Sequence, residues 1–249
     1  MQIHNHIDIY GIVRDLPKRG KTNIMCPVST IRGIRDQVSQ KVLNQYKYCT
    51  FYLISKDNEM IEKIKSLKPN DVVRVTGIIQ TISRPNEIKC PNCNAINNIS
   101  EATLKERAGN NLIYVIPYSV TKVASYDDQM FAYQDVIKNV EISNKVFLIG
   151  TLLSDPEKHE LVDKVYTRYQ IAVEHTDSRQ ECFAYPWIYS YGENAERDFF
   201  SLQAGSKVFI DGAMQTRRYR NKYLCKECKK EFEIQGKTLE VISYATEFL

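Results

Sequence analysis

The chain carries the same domain twice. NHIDIYG at Asn5 to Gly11 aligns with NKVFLIG at Asn144 to Gly150, and SLKPNDVVRVTGIIQT at Ser66 to Thr81 aligns with SLQAGSKVFIDGAMQT at Ser201 to Thr216. In that same register Cys90 and Cys93 fall on Cys225 and Cys228, and VIPYSVTKV from Val115 resembles VISYATEFL from Val241. Four matching segments in one order, in halves of about 125 residues or slightly less, are the signature of an internal duplication. The 249 residues therefore divide into a first copy over 1–123, a connector over 124–143 and a second copy over 144–249.

Each copy reads as mostly strand. Runs rich in β-branched and aromatic residues predict strands at His6 to Arg14, Asn23 to Arg32, Tyr46 to Ser55, Asp71 to Ile82 and Leu112 to Val120. In the second copy they fall at Lys145 to Leu153, Tyr166 to Glu174, Cys182 to Tyr191, Lys207 to Gln215 and Leu239 to Phe248. Helical spacing of apolar residues predicts one short helix per copy, Asn58 to Leu67 and Glu193 to Leu202, between the third and fourth strands. Asn70-Asp71 and Gly205-Ser206 mark turns into the fourth strand. Five strands with a helix between the third and fourth is the order of an OB-fold, a small barrel that commonly binds oligonucleotides. The predicted class is all-β, as two tandem OB-fold barrels with zinc-ribbon-like hairpins.

Composition narrows the function. Hydrophobic content of 43% with 26% charged residues describes a globular chain, and no apolar run reaches the length of a membrane span. The start, MQIHNHIDIYG, has no signal-peptide pattern, and seven cysteines without such a signal point to the cytoplasm rather than a disulfide framework. The net charge of +4 is mild, but between Arg217 and Lys230 seven basic residues stand against the single acid Glu227. Such a stripe fits a polyanion, or a solvated hairpin whose lysines serve solubility. Nothing in the sequence resembles a phosphate-cradling glycine loop, a carboxylate metal cluster or a nucleophile with its base. No catalysis is expected.

Each copy holds half of a metal site. CPNC at Cys90 to Cys93 and CKEC at Cys225 to Cys228 both follow the fourth strand, and no second pair or nearby histidine completes either one. A structural zinc takes four ligands, and two Cys-x-x-Cys knuckles supply a tetrahedron of four thiolates. The two ribbons are expected to meet and share one structural Zn2+, within the chain or across a dimer. A redox pair belongs at a helix N-terminus in a βαβ unit, which is not the setting here. Ordinary free thiols are the other reading. Cys26, Cys49 and Cys182 lie within predicted strands and read as core.

NKVFLIGTLLSDPE, YQIAV, GSKVFIDGAMQTRRY and EVISYATEFL, in this order around a helix, resemble the bacterial single-stranded DNA-binding protein (SSB) family. The resemblance covers Asn144 to Leu249 and reaches the first copy only through the repeat. It implies non-catalytic binding of single-stranded DNA in replication, repair, recombination or mobile-element transfer, in the cytoplasm with the nucleoid. It also implies assembly of four OB-folds, here as a homodimer. Bacterial members typically end in an acidic tail that recruits replication and repair proteins; this chain stops at ATEFL, so recruitment by such a tail is not expected.

Single strands are held by a basic groove and by aromatic faces on which bases stack. The family's aromatic positions carry over to Tyr185, Tyr191 and Tyr219. Trp187, the only tryptophan, lies two residues past Tyr185 and so on the same strand face. Arg217, Arg218, Arg220 and Lys222 are the nearest cations. In the first copy Tyr52 matches Trp187 and Arg84 replaces Tyr219, while Thr50 and Lys56 replace Tyr185 and Tyr191. That copy grips backbone rather than bases, or has become mainly a scaffold. Two other functions compete: an RNA-binding, translation-associated OB protein, and an assembly module that no longer binds nucleic acid.

Overall fold

A computed structural model describes residues 4–35, 42–83, 85–99, 103–105, 111–161, 164–177 and 180–249. In chain order these form β1 (Asn5–Val13), β2 (Lys18–Arg19), β3 (Ile24–Arg35), β4 (Val42–Ser55), α1 (Asn58–Lys65) and β5 (Asp71–Ser83). Three short strands follow, β6 (Glu87–Lys89), β7 (Ile96–Asn98) and β8 (Thr103–Lys105), then β9 (Asn111–Ser125) and α2 (Gln129–Lys138). The second half contains β10 (Asn144–Leu152), β11 (Glu157–Leu161), β12 (Lys164–Asp177), β13 (Gln180–Ala184) and β14 (Trp187–Tyr191). It ends with α3 (Glu193–Ser201), β15 (Lys207–Leu224) and β16 (Glu231–Phe248). Among the described residues no helix is long and apolar enough to cross a membrane.

Each half closes a five-stranded barrel. In the first, β1 pairs with β3, β3 with β4, β4 with β9, β9 with β5 and β5 with β1. In the second, β10, β12, β14, β16 and β15 close in the same way. The third and fifth strands are parallel in both, Leu53 facing Val115 and Ile188 facing Val241, and all other pairs are antiparallel. This strand order, with a helix between the third and fourth strands, is the OB-fold that the duplication predicts. Asn70 (φ 68°) and Gly205 (φ 84°) make the turn into the fourth strand in the left-handed region, where asparagine and glycine are favoured.

One expectation fails. The predicted third strand Cys182 to Tyr191 is two strands, β13 and β14, separated at Tyr185 and Pro186. Proline has no amide to give to the ladder, so pairing with β12 stops there and resumes at Trp187. The period-two argument that put Tyr185 and Trp187 on one face does not cross that break.

The barrels share a seam. β1 and β10 pair antiparallel, and one apolar cluster runs through both interiors, from Ile7, Phe51 and Val75 to Val146, Ile188 and Ile210. At equivalent places Asn5 bonds both backbone groups of Ile79 (2.8 and 2.9 Å) and Asn144 those of Met214 (2.8 and 2.9 Å). The connector carries α2, capped by Asp128, whose Ala132 and Val136 pack on Tyr10, Ile12, Ile31 and Val72 of the first barrel.

Candidate nucleic-acid interface and metal centre

The outer face of the second barrel is aromatic. Strand alternation turns Thr167, Tyr169, Ile188 and Ser190 inward, all buried. Away from the barrel interior go Tyr166, Arg168 and Gln170 of β12, opposite Tyr191, Tyr189 and Trp187 of β14, of which Tyr189 is covered and buried. The Tyr166 ring stacks on His159 at 4.8 Å and lies 5.8 and 5.9 Å from Tyr189 and Tyr191. The Arg168 guanidinium sits over Trp187 at 5.1 Å and donates to Glu157 at 2.6 and 2.8 Å. Trp187 and Tyr191 are half-buried. Burial, with Glu240 nearby, pushes the Tyr191 phenol well above its ordinary pKa. Tyr185 is exposed, its ring 6.4 Å from that of exposed Phe183, and its amide donates to Thr81 Oγ1 at 2.9 Å.

The basic ribbon does not act as one surface. Along β15 the side chains alternate, so Arg217 and Tyr219 lie on one face and Arg218, Arg220 and Lys222 on the other. Arg217 is turned inward. Its Nε donates to buried Glu240 at 2.5 Å, its terminal nitrogen donates to the Tyr189 hydroxyl at 2.7 Å, and the guanidinium covers the Tyr189 ring. Burial raises the Glu240 carboxyl above its ordinary pKa, while Arg217 and Gln215 hold it back. Tyr219 lies across Gly236, the residue facing it on β16; a Cβ there would stand 2.5 Å from the ring. Arg218, Arg220 and Lys222 are exposed, with Lys237 directly opposite Arg218. In the first barrel Tyr52 is exposed on β4, and Leu53 pairs with Val115 as Ile188 pairs with Val241, so Tyr52 and Trp187 occupy equivalent places. Arg84 lies outside the described residues.

Tyr166 and Arg168 escaped the sequence reading. Tyr166 and Arg168 alternate along the predicted second strand, which was signal enough to put them on one face. Nothing in the sequence said which face.

The four cysteines converge within one chain. The sulfurs of Cys90, Cys93, Cys225 and Cys228 all lie within 4.8 Å of one another, with Cys93 to Cys225 at 3.5 Å and Cys90 to Cys228 at 3.8 Å. A tetrahedral ion with metal–sulfur bonds of about 2.3 Å needs sulfurs about 3.8 Å apart. The knuckles match: Asn94 and Lys229 donate to the Cys90 and Cys225 carbonyls at 2.9 and 3.1 Å, both with positive φ. Amides of Cys228 and Glu227 directed at the Cys225 sulfur lower that thiol, while its neighbour Cys93, hydrogen-bonded to the other sulfurs, is raised despite a backbone bond at Ala95 that pulls it down. Asn97 reaches the Cys225 sulfur at 3.6 Å and accepts from the Lys226 amide at 2.8 Å, tying one ribbon to the other knuckle. Tyr223, Phe232, Ile88 and Ile234 form a small core under the cluster. The residues fit a four-coordinate thiolate metal site.

Two closed OB barrels, an outer aromatic face and paired ribbons meeting at four cysteines define a tandem OB-fold protein. Residues 143–242, which span most of the second barrel, match the single-strand binding protein family. Across the whole chain the fold is that of two crystal structures of the single-stranded DNA binding protein from Thermus aquaticus. A deletion variant gives a TM-score of 0.62 at 13% identity, covering 98% of this chain and 94% of that one. The wild type gives 0.60 at 14%, covering 98% and 92%. No curated protein matches the chain by sequence.

Proposed function

We propose that the protein binds single-stranded DNA without catalysis, in replication, repair, recombination or mobile-element transfer, in the cytoplasm with the nucleoid. The observation that carries this is the outer face of the second, family-matched barrel, where Tyr166, Trp187 and Tyr191 stand together. Aromatic faces hold single strands because every base has a π-face. Tyr185 and Tyr219 extend this face, Arg218, Arg220 and Lys222 supply phosphate contacts, and Tyr52 and Arg84 serve the first barrel. Arg217 takes a different part: its charge is answered by Glu240, so it anchors the ribbon on the barrel.

The four cysteines hold one structural Zn2+ per chain, which pins the two ribbons together. A homodimer brings four OB-folds together through the outer side of the β1–β10 sheet. There the half-buried rings of His6, Phe147 and Phe209 stack at 6.3 Å spacings.

The test is a fluorescence titration with oligo-dT at several salt concentrations, reading Trp187, the only tryptophan. Tight, salt-sensitive quenching, undiminished by an equal length of RNA, supports the reading. Absence of binding at low salt overturns it.

A further inference from the structure

Within the cysteine cluster the two members of each knuckle are unlike. Cys90 and Cys225, the first of each pair, are fully buried, whereas Cys93 is exposed and Cys228 half-buried. The more accessible sulfur of each ribbon faces the buried sulfur of the other. Cys93 lies 3.5 Å from Cys225, and Cys228 lies 3.8 Å from Cys90. A reachable thiol backed by a second one is the arrangement in which a first oxidation is followed by closure of the second sulfur on it. The core cysteines offer no such access, since Cys26 and Cys49 are sealed in the first barrel.

The ribbons are braced against each other independently of their sulfurs. Buried Asn97 of β7 accepts from the Lys226 amide at 2.8 Å, and β8 pairs with β15, Thr103 facing Tyr223. Cys225 is therefore held against Cys93 from the far side of the cluster. Joining the two requires their sulfurs to approach by about 1.5 Å, from contact to bond length.

We propose that Cys93 is a site of oxidation by hydrogen peroxide or another hydroperoxide, and that Cys225 resolves it across the ribbons. The metal reading above supplies the starting form, because cysteines ligate as thiolates and the thiolate is the nucleophile. The Cys93 thiolate attacks one oxygen of the peroxide, the O–O bond breaks, and Cys93 becomes a sulfenic acid as hydroxide leaves. The Cys225 thiolate then attacks the Cys93 sulfur; the S–S bond forms, the S–O bond breaks, and a second hydroxide leaves. Two thiolates have given two electrons, and the peroxide has become two hydroxides. The chain thereby surrenders two of its four ligands, so zinc is released, yet the ribbons remain tied by a covalent bond. In a reducing compartment thiols reverse that bond, as for other transient disulfides.

The experiment treats the full-length protein with hydrogen peroxide, blocks the remaining thiols with N-ethylmaleimide, and digests it with trypsin under denaturing, non-reducing conditions. Cleavage after Lys226 separates Cys225 from Cys228, and fragmentation in the mass spectrometer between Cys90 and Cys93 assigns the other end. Zinc is measured in the untreated protein and, with a chromogenic chelator, as it is released. The proposal expects a Cys93–Cys225 linkage, zinc released in step with it, and recovery of free thiols and bound zinc when a thiol reductant and zinc are added. A Cys90–Cys93 linkage within one knuckle overturns it. So does Cys93 carried to the sulfinic acid without a partner, or a cluster that peroxide leaves untouched. A Cys93–Cys225 linkage in protein that carries no zinc from the start supports the proposal and removes the metal reading.

Discussion

Ile7 of β1 and Val146 of β10 lie directly opposite each other, at the centre of the antiparallel pair that joins the barrels. On one side Asn5 faces Leu148, on the other Ile9 faces Asn144, so the pair relates the copies by a local twofold. Other contacts obey it. The Thr50 amide reaches Thr216 Oγ1 and the Tyr185 amide reaches Thr81 Oγ1; Gln215 meets Arg32 and Gln80 meets His175.

Because both residues are fully buried in a cluster shared by the barrels, the halves should unfold together. Urea denaturation of the wild type is expected to show one transition. Ile7→Ala should cost about 2–5 kcal/mol, as for other buried aliphatic truncations. Two resolved wild-type transitions would show that the seam does not couple the barrels.

Arg217 and its neighbour Arg218 should behave as opposites. Arg217→Met leaves the buried Glu240 carboxylate without its ion-pair partner and should cost about 3–5 kcal/mol at neutral pH. Glu240 already titrates above its ordinary 4.5 because of burial, and without Arg217 it rises further. The fold then binds a proton that the unfolded chain releases. Stability is therefore regained as pH falls from the folded pKa toward about 4.5, and lost as pH rises through that window. Adding Glu240→Gln should remove this dependence. The salt slope of DNA binding should survive Arg217→Met but drop by about 0.7 in Arg218→Ala. Equal slopes in the two variants would sink the division of the ribbon into two faces.

Much of this molecule was legible because the information was local or repeated. The duplication aligns Cys90 and Cys93 with Cys225 and Cys228 on sequence alone, and the turns at Asn70 and Gly205 are marked by residues that accept positive φ. The break at Pro186 was equally local, since a proline within a predicted strand interrupts the ladder. Other features depend on partners distant in sequence. Arg217 reads as a surface cation until β16 brings Glu240 beneath it, twenty-three residues on in the chain. Nothing in the connector's sequence says which barrel α2 docks on, so its contribution of Tyr133 to the first follows only from the fold.

Tyr219 offers a test independent of its own substitution. Its ring occupies the space above Gly236, so Gly236→Ala must push it away by introducing a Cβ 2.5 Å from ring atoms. If Tyr219 stacks a base, Gly236→Ala should weaken oligo-dT binding by about 1–3 kcal/mol, as Tyr219→Ala should. The double variant should lose no more than either alone. Additive losses would mean that the two substitutions act separately, and that Gly236 does not set the tyrosine's position.

The metal centre gives the last prediction. With all four ligands in one chain, zinc content should be one ion per chain and should not fall on dilution. Cys90→Ala should lose as much metal as Cys225→Ala, since each removes one corner of the same tetrahedron. Half the metal lost from either variant would indicate separate sites. A structural zinc contributes several kcal/mol to whatever it closes, up to about 10–16 in small zinc-folded peptides. At this site it would close two ribbons whose own core is a small cluster around Tyr223, Phe232, Ile88 and Ile234. Chelation should therefore expose the ribbons to protease around Lys89 and Lys226 while the barrels, whose core does not involve the cysteines of the knuckles, resist. Uniform digestion of both barrels on chelation would place the metal's contribution in the whole fold rather than in the ribbons.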